Sequence, residues 1–101
     1  MNLSLILIIM PAFNAQSTIS YSIKSIQKQT HKNWELIIID DNSSDSTLEI
    51  VSDFLVDKRV KLLRNSENIG AGASRNKGLE NCSGDYIAFC DSDDNWLPHK
   101  A

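Results

Sequence analysis

The carboxylates Asp91, Asp93 and Asp94 follow directly on the apolar run Tyr86-Ile-Ala-Phe-Cys90. A short run rich in β-branched and aromatic residues reads as a buried strand. Like charges crowded at the end of such a strand repel one another and cost desolvation energy. A hard divalent cation relieves both costs, because it takes carboxylate oxygens and needs few protein ligands when phosphate supplies the rest. The spacing therefore points to a metal and a phosphorylated ligand. Three other readings compete. Asp, Ser and Asn are common turn residues, so Asp91 to Asn95 also reads as a solvated turn. Asp91-x-Asp93-x-Asn95 begins like an EF-hand loop, but Trp96 stands where the sharp turn needs glycine and no helix precedes it. An Asp-x-Asp phosphatase also places its acids after an apolar strand, though normally on an early strand with a lysine and further acids to follow.

A second acidic stretch, Asp40-Asp41-Asn42-Ser43-Ser44-Asp45, ends the apolar run Glu35-Leu-Ile-Ile-Ile39. A carboxylate at Asp41 can accept a hydrogen bond from a base N–H, which is one way to read a uracil ring. Phe13 and the backbone of Pro11 to Phe13 can contact the same base. The alternative for Asp40 and Asp41 is helix-approach and capping chemistry, with Asp45 near a helix N-terminus for dipole reasons. Arg75 falls in the first turns of a helix after a glycine-bearing loop, where an anion with a nearby guanidinium makes a phosphate site; a surface ion pair is the alternative. Gly70-x-Gly72 is not completed as Gly-x-Gly-x-x-Gly, since position 75 is Arg, so it is no dinucleotide fingerprint. Lys61 and Lys77 read as solvated positions, His31 and His99 as loop or surface residues, and Trp34 and Trp96 as core or rim packing.

These residues hang on a regular alternation of elements. Leu3 to Met10 is nearly continuously apolar, as in strands covered on both faces of a parallel sheet, and Pro11 is expected to stop it. Ser17 or Thr18 is expected to cap a helix running to Lys28, with Ile19, Ile23 and Ile26 on one stripe. Ser46-Thr-Leu-Glu49 reads as a capping box opening a second helix that ends near Asp57 or Lys58, with Leu48, Val51 and Leu55 on its apolar face. Val60 to Arg64 is a third strand. A third helix runs from Ala71 to about Cys82, stopped by Ser83-Gly84, and Asp85 to Cys90 is the fourth strand. The order β-α-β-α-β-α-β predicts an α/β fold, a Rossmann-like parallel sheet flanked by helices and joined by right-handed crossovers. Ligands of such sheets bind outside the carboxyl ends of the strands. The loops Pro11 to Asn14, Asp40 to Asp45 and Asp91 to Asn95 would all meet there, and that convergence depends on no single motif.

At 101 residues the chain is sized for a single small domain, and 42% apolar content favours a folded state. A net charge of −3 argues against a nucleic-acid binder, which usually carries a basic face. Cys82 and Cys90 match no zinc or redox spacing and read as reduced thiols of a cytoplasmic protein. No apolar stretch reaches the length of a membrane span, and the N-terminal run lacks the basic leader of a signal peptide.

Ile8-Ile-Met-Pro-Ala-Phe-Asn14, Ser25-Ile-Gln-Lys-Gln-Thr30, Trp34 to Thr47, Asn68-Ile-Gly-Ala-Gly-Ala-Ser-Arg-Asn-Lys-Gly78 and Gly84 to Pro98 occur in this order. The series resembles the N-terminal half of the family-2 glycosyltransferases, inverting enzymes with a GT-A fold. The resemblance implies a nucleotide-diphospho-sugar donor, often UDP-linked, a glycan or lipid-linked acceptor, and a divalent metal, Mg2+ or Mn2+. By resemblance, Pro11, Ala12 and Phe13 match the loop that cradles the base and Asp41 the aspartate on the uracil ring. Asp91-Ser92-Asp93 matches the Asp-x-Asp motif, with Asp91 and Ser92 by the ribose and diphosphate and Asp93 on the metal. Arg75 matches a recurrent arginine. The family's general base lies well beyond that motif and is expected beyond Ala101, so no residue of this chain is expected to be catalytic. The chain is expected to be a donor-binding part without its acceptor-binding half or base. Gln16 stands where many relatives carry glutamate. An absent half would leave apolar surface uncovered, which favours self-association. A non-catalytic nucleotide-binding or self-associating module is the alternative function.

Overall fold

The computed structural model describes residues 5–29, 33–80 and 86–90. Its elements are β1 (Ile6–Ala12), α1 (Ile19–Gln27), β2 (Trp34–Asp40), α2 (Thr47–Phe54), β3 (Val60–Arg64), α3 (Ala71–Glu80) and β4 (Tyr86–Phe89), in the expected order. The strands form a parallel sheet of order β3-β2-β1-β4. Successive strands thus step outward from β1 to β3, and the chain then returns to the other side of β1.

The unbroken apolar strands are explained by cover on both faces. Ile6, Ile8, Met10 and Ala12 of β1 pack with Leu36 and Ile38 of β2, the Ile19-Ile23-Ile26 stripe of α1 and Val51 of α2. Leu7 and Ile9 pack with Ile37 and Ile39 on the opposite face. There α3 lies so close that a Cβ on Gly78 would stand 2.8 Å from Ile9 Cγ2 and 3.0 Å from Ile39 Cδ1. Each fully buried aliphatic side chain contributes roughly 1.5–3 kcal/mol, so this double-faced burial holds the strand ends in place.

The structure revises several boundaries. β1 does not stop at Pro11 but runs through it to Ala12, pairing Pro11 with Ile39. Ile9 O accepts the Cys90 N–H, whereas Ala12 O accepts the Asp41 N–H. Along a parallel strand the polar backbone groups alternate in direction, so the missing N–H of Pro11 faces the β4 side, where the described ladder ends at Ile9–Phe89. Proline therefore removes no described ladder bond. The expected start at Leu3 lies outside the described residues, and Leu5 is not yet in the strand. Neither α1 nor α2 has a side-chain bond from its N-cap residue, Thr18 or Ser46. Instead, Asp45 Oδ1 accepts from Thr47 N at 2.9 Å and from the Thr47 hydroxyl, so the acid replaces the expected capping box. α2 ends at Phe54, earlier than expected, and leaves Leu55 exposed. Asp57 is recruited locally: Arg59 N and Nε donate to its Oδ1, both at 3.0 Å, which favours a turn over continued helix. The far end of α3 and the start of the fourth strand at Asp85 fall outside the described residues.

Candidate functional site

The carboxyl ends of β1 and β2 and the start of α3 enclose a crevice of about 540 Å³. Pro11, Ala12, Phe13, Asn14, Ala15, Ser17, Thr18, Asp41, Ala71 and Arg75 line it. Pro11, Ala12, Phe13, Asp41 and Arg75 of the sequence-derived site are thus brought together. The crevice lies outside the carboxyl ends of β1 and β2, the edge at which open α/β sheets bind ligands. Asp91, Ser92 and Asp93 lie outside the described residues; they follow Cys90, whose N–H is bonded to Ile9 O at the end of the sheet. Ala101, the residue beyond which the general base is expected, lies outside the described residues as well.

The wall formed after β1 is fastened to the loop after β2. Asn14 adopts a left-handed conformation, φ 47°, which asparagine tolerates better than most residues. Its N–H donates to Ser43 Oγ at 3.0 Å, and its Oδ1 accepts from Ser44 N at 2.8 Å. Ala15 N donates to Thr47 Oγ1 at 2.8 Å. Gln16 N donates to Asp45 Oδ2, and Gln16 Oε1 accepts from Ser46 N at 3.1 Å. Phe13 is left half-exposed on the rim, its ring available to a planar ligand.

Asp40 and Asp41 are both buried but differently used. Asp40 accepts from Ser43 N at 3.0 Å and from Ser43 Oγ, and Arg64 Nε stands 3.8 Å away. It ties the loop after β2 and does not line the crevice. Asp41 faces the crevice with its carboxylate held from behind. Oδ1 accepts from Asn65 Nδ2 at 2.9 Å and Ile69 N at 2.8 Å; Oδ2 accepts from Gly70 N at 2.8 Å. Burial pushes the Asp41 carboxyl up, but the bonds from Ile69, Asn65 and Gly70 outweigh it and hold the acid below the usual carboxylate range. The crevice thus presents an ionised acceptor in a fixed orientation. Gly70 supports this arrangement with φ 90°, which lets successive amides turn toward the acid.

Behind Asp41 lies a polar network absent from the sequence reading. Asn65 Nδ2 also donates to Ser74 Oγ at 3.0 Å, and Lys77 Nζ donates to Asn65 Oδ1 at 2.8 Å. Lys77 is therefore not the simple solvated residue its type suggested. The available signals were the position of Asn65 immediately after β3, at the ligand-binding edge, and the spacing that sets Ser74, Lys77 and Gly78 on one side of α3. Lys61 is a surface residue paired with Glu35 at 3.4 Å. Trp34 is core, with the Arg59 guanidinium 4.0 Å above its ring. Among the described residues no three His, Cys, Asp or Glu side chains form a group able to hold a metal ion.

The family model for glycosyl transferase family 2 matches residues 7–101. The Escherichia coli UDP-Glc:alpha-D-GlcNAc-diphosphoundecaprenol beta-1,3-glucosyltransferase WfgD is 52% identical over 95% of this chain and 38% of its own length. The putative teichuronic acid biosynthesis glycosyltransferase TuaG of Bacillus subtilis is 41% identical over 95% of this chain and 38% of its own. The chain thus spans well under half the length of these relatives. Among solved structures, S. aureus TarS 1-349 in complex with UDP-GlcNAc superposes with a TM-score of 0.87 at 30% identity, covering 92% of this chain and 28% of that solved chain. The mannosyltransferase PcManGT of Pyrobaculum calidifontis, solved with GDP-Man and Mn2+, shares the fold with a TM-score of 0.81 at 22% identity, covering 87% of this chain and 27% of its own.

Proposed function

The chain belongs to glycosyltransferase family 2, and from that premise we propose that it forms the donor site of an inverting enzyme that transfers a sugar from a UDP-sugar to a glycan or lipid-linked acceptor. The observation that carries this reading is the meeting of Pro11, Ala12, Phe13, Asp41 and Arg75 around one crevice. Phe13 and the backbone of Pro11 and Ala12 hold the base, and Asp41 Oδ2 accepts the N–H of the uracil ring. Arg75, on the first turns of α3, balances the diphosphate charge. The identity to a glucosyltransferase acting on a diphosphoundecaprenol-linked sugar supports the lipid-linked class of acceptor. We extend the proposal to the compartment: a reaction on such an acceptor would run in the cytoplasm, at the inner face of the membrane.

In the transfer, the acceptor hydroxyl attacks the anomeric carbon as the bond to the diphosphate breaks, with inversion. A general base takes the hydroxyl proton; no residue up to Ala101 is assigned that role. The hard oxygen donors of Asp91 and Asp93 suit Mg2+ or Mn2+, and we assign Asp93 as the metal ligand, with Asp91 and Ser92 by the ribose and diphosphate. When bound, the cation supplies Lewis-acid stabilisation of the leaving diphosphate. Calorimetric titration of UDP into the protein, with Mn2+ and then with EDTA, tests the proposal. Loss of metal-dependent UDP binding in Asp93→Ala is expected; undiminished binding in that variant would remove the assignment of Asp93.

A second reading, a non-catalytic nucleotide-binding or self-associating module, draws on the sheet edge. Ile87 and Phe89 of β4 are 45% and 48% exposed. A concentration-dependent mass in light scattering supports this reading, and a monodisperse monomer that binds no apolar dye counts against it.

A further inference from the structure

The hydrogen bonds around Asp41 leave its two oxygens unequal. Oδ1 accepts two donors, Asn65 Nδ2 and Ile69 N, whereas Oδ2 accepts one, Gly70 N. A carboxylate oxygen has about two acceptor positions. Oδ1 is therefore filled, and Oδ2 keeps one position for a ligand. Uracil presents a single ring N–H between two carbonyls, and that one donor matches the one remaining position. Guanine presents two neighbouring donors on the corresponding edge, its ring N–H and its exocyclic amine. Both oxygens would have to accept, and the second donor would find no acceptor position left on Oδ1.

We propose that Asn65 is a specificity-determining residue: by occupying Oδ1 of Asp41 it sets the crevice for a base with one donor and against a base with two. This rests on the reading of Asp41 as the base-binding acid. Lys77 gives the device its direction. An ammonium group only donates, so its 2.8 Å contact fixes which end of the Asn65 amide is oxygen. The Nδ2 end is then turned to Asp41 Oδ1 and Ser74 Oγ. Lys77 acts on the base only through Asn65 and is a positioning residue.

The test is calorimetric titration of UDP and of GDP into the protein with Mn2+, for the wild type, Asn65→Leu, Lys77→Met, Lys77→Arg and Asp41→Asn. The wild type prefers UDP. In Asn65→Leu that preference falls by about tenfold or more, the size of one hydrogen bond to a charged group. Lys77→Met moves the ratio the same way by less, and Lys77→Arg restores it. Damage to packing alone would weaken both nucleotides together and leave their ratio unchanged. An unchanged ratio in both Asn65→Leu and Lys77→Met overturns the inference. If Asn65→Leu does not fold, Lys77→Met, altered on a partly exposed side chain, decides alone. Loss of UDP preference in Asp41→Asn without any effect at Asn65 or Lys77 would overturn the inference and leave the reading of Asp41 standing. A wild type without preference for UDP, matched by Asp41→Asn, would overturn both.

Discussion

Asp40 and Asp41 are neighbours in the chain and meet different surroundings. Alternation along β2 sends Asp40 back onto Ser43 and toward Arg64, while Asp41 turns into the crevice against the amides of Ile69 and Gly70. Asp40→Ala would leave the Ser43 N–H and hydroxyl without their acceptor and is expected to lower stability by about 1–3 kcal/mol in urea unfolding. Asp41 carries a pH dependence whose sign follows from its surroundings. Its folded value is lowered from 3.8, so its contribution to stability is complete above that value and is lost as the pH falls through the folded one. Asp57 is the stronger case: Arg59 side-chain hydrogen bonds hold it at about 2 against the cost of burial. Its stabilisation disappears as the pH drops from 3.8 toward about 2. Because the Arg59 partner is substantially exposed, solvent screening limits the effect to about 1 kcal/mol. Asp57→Asn should therefore lower the unfolding midpoint at neutral pH and flatten the acid limb of stability against pH. The sequence pointed to Asp41 and Arg75 by position, since each is set by a strand end or a helix start. It did not reveal Asn65 or Lys77, because a network between side chains 12 residues apart exists only once β3 and α3 are docked.

The elements were legible where burial dictates them and blurred where side chains compete with backbone. Continuous apolar runs gave β2 and β3 nearly to the residue, and the isoleucine stripe gave α1. Thr18 and Ser46 are of capping type, but a backbone turn at Ala15 opens α1 and Asp45 serves α2. Pro11 misled for a related reason: its lost N–H matters only where a neighbouring strand would accept it. α3 has little apolar surface and is seated instead by closeness, through Gly78 against Ile9 and Ile39. Gly78→Val would force its side chain into Ile9 Cγ2 and lift α3. We expect a loss of about 1–3 kcal/mol in chemical unfolding, together with weaker UDP binding, because α3 carries Arg75 and its leading loop holds Asp41. Wild-type stability in this variant would show that α3 is not seated on the sheet at Gly78.

The strand order β3-β2-β1-β4 makes one crevice out of segments far apart in sequence. Alternation of elements alone was enough to infer a parallel sheet with its ligand edge at the strand ends, since chains of this pattern have few other ways to cover both faces. The order of strands was not written in any one segment, because it depends on which face α3 covers. Ile87 and Phe89 show the same limit: their types suit a buried strand, yet both remain substantially exposed on β4. Replacing both by Thr is expected to keep the β-strand while reducing any self-association in light scattering.

The most direct measurement is calorimetric titration of UDP into the wild-type protein and into Asp41→Asn, first with Mn2+ and then with EDTA. Saturable binding by the wild type that weakens by about tenfold or more in Asp41→Asn, and that fades when EDTA removes the cation, is the predicted result. Equal binding by the two proteins, or none by a folded wild type, would contradict the donor site proposed for this crevice.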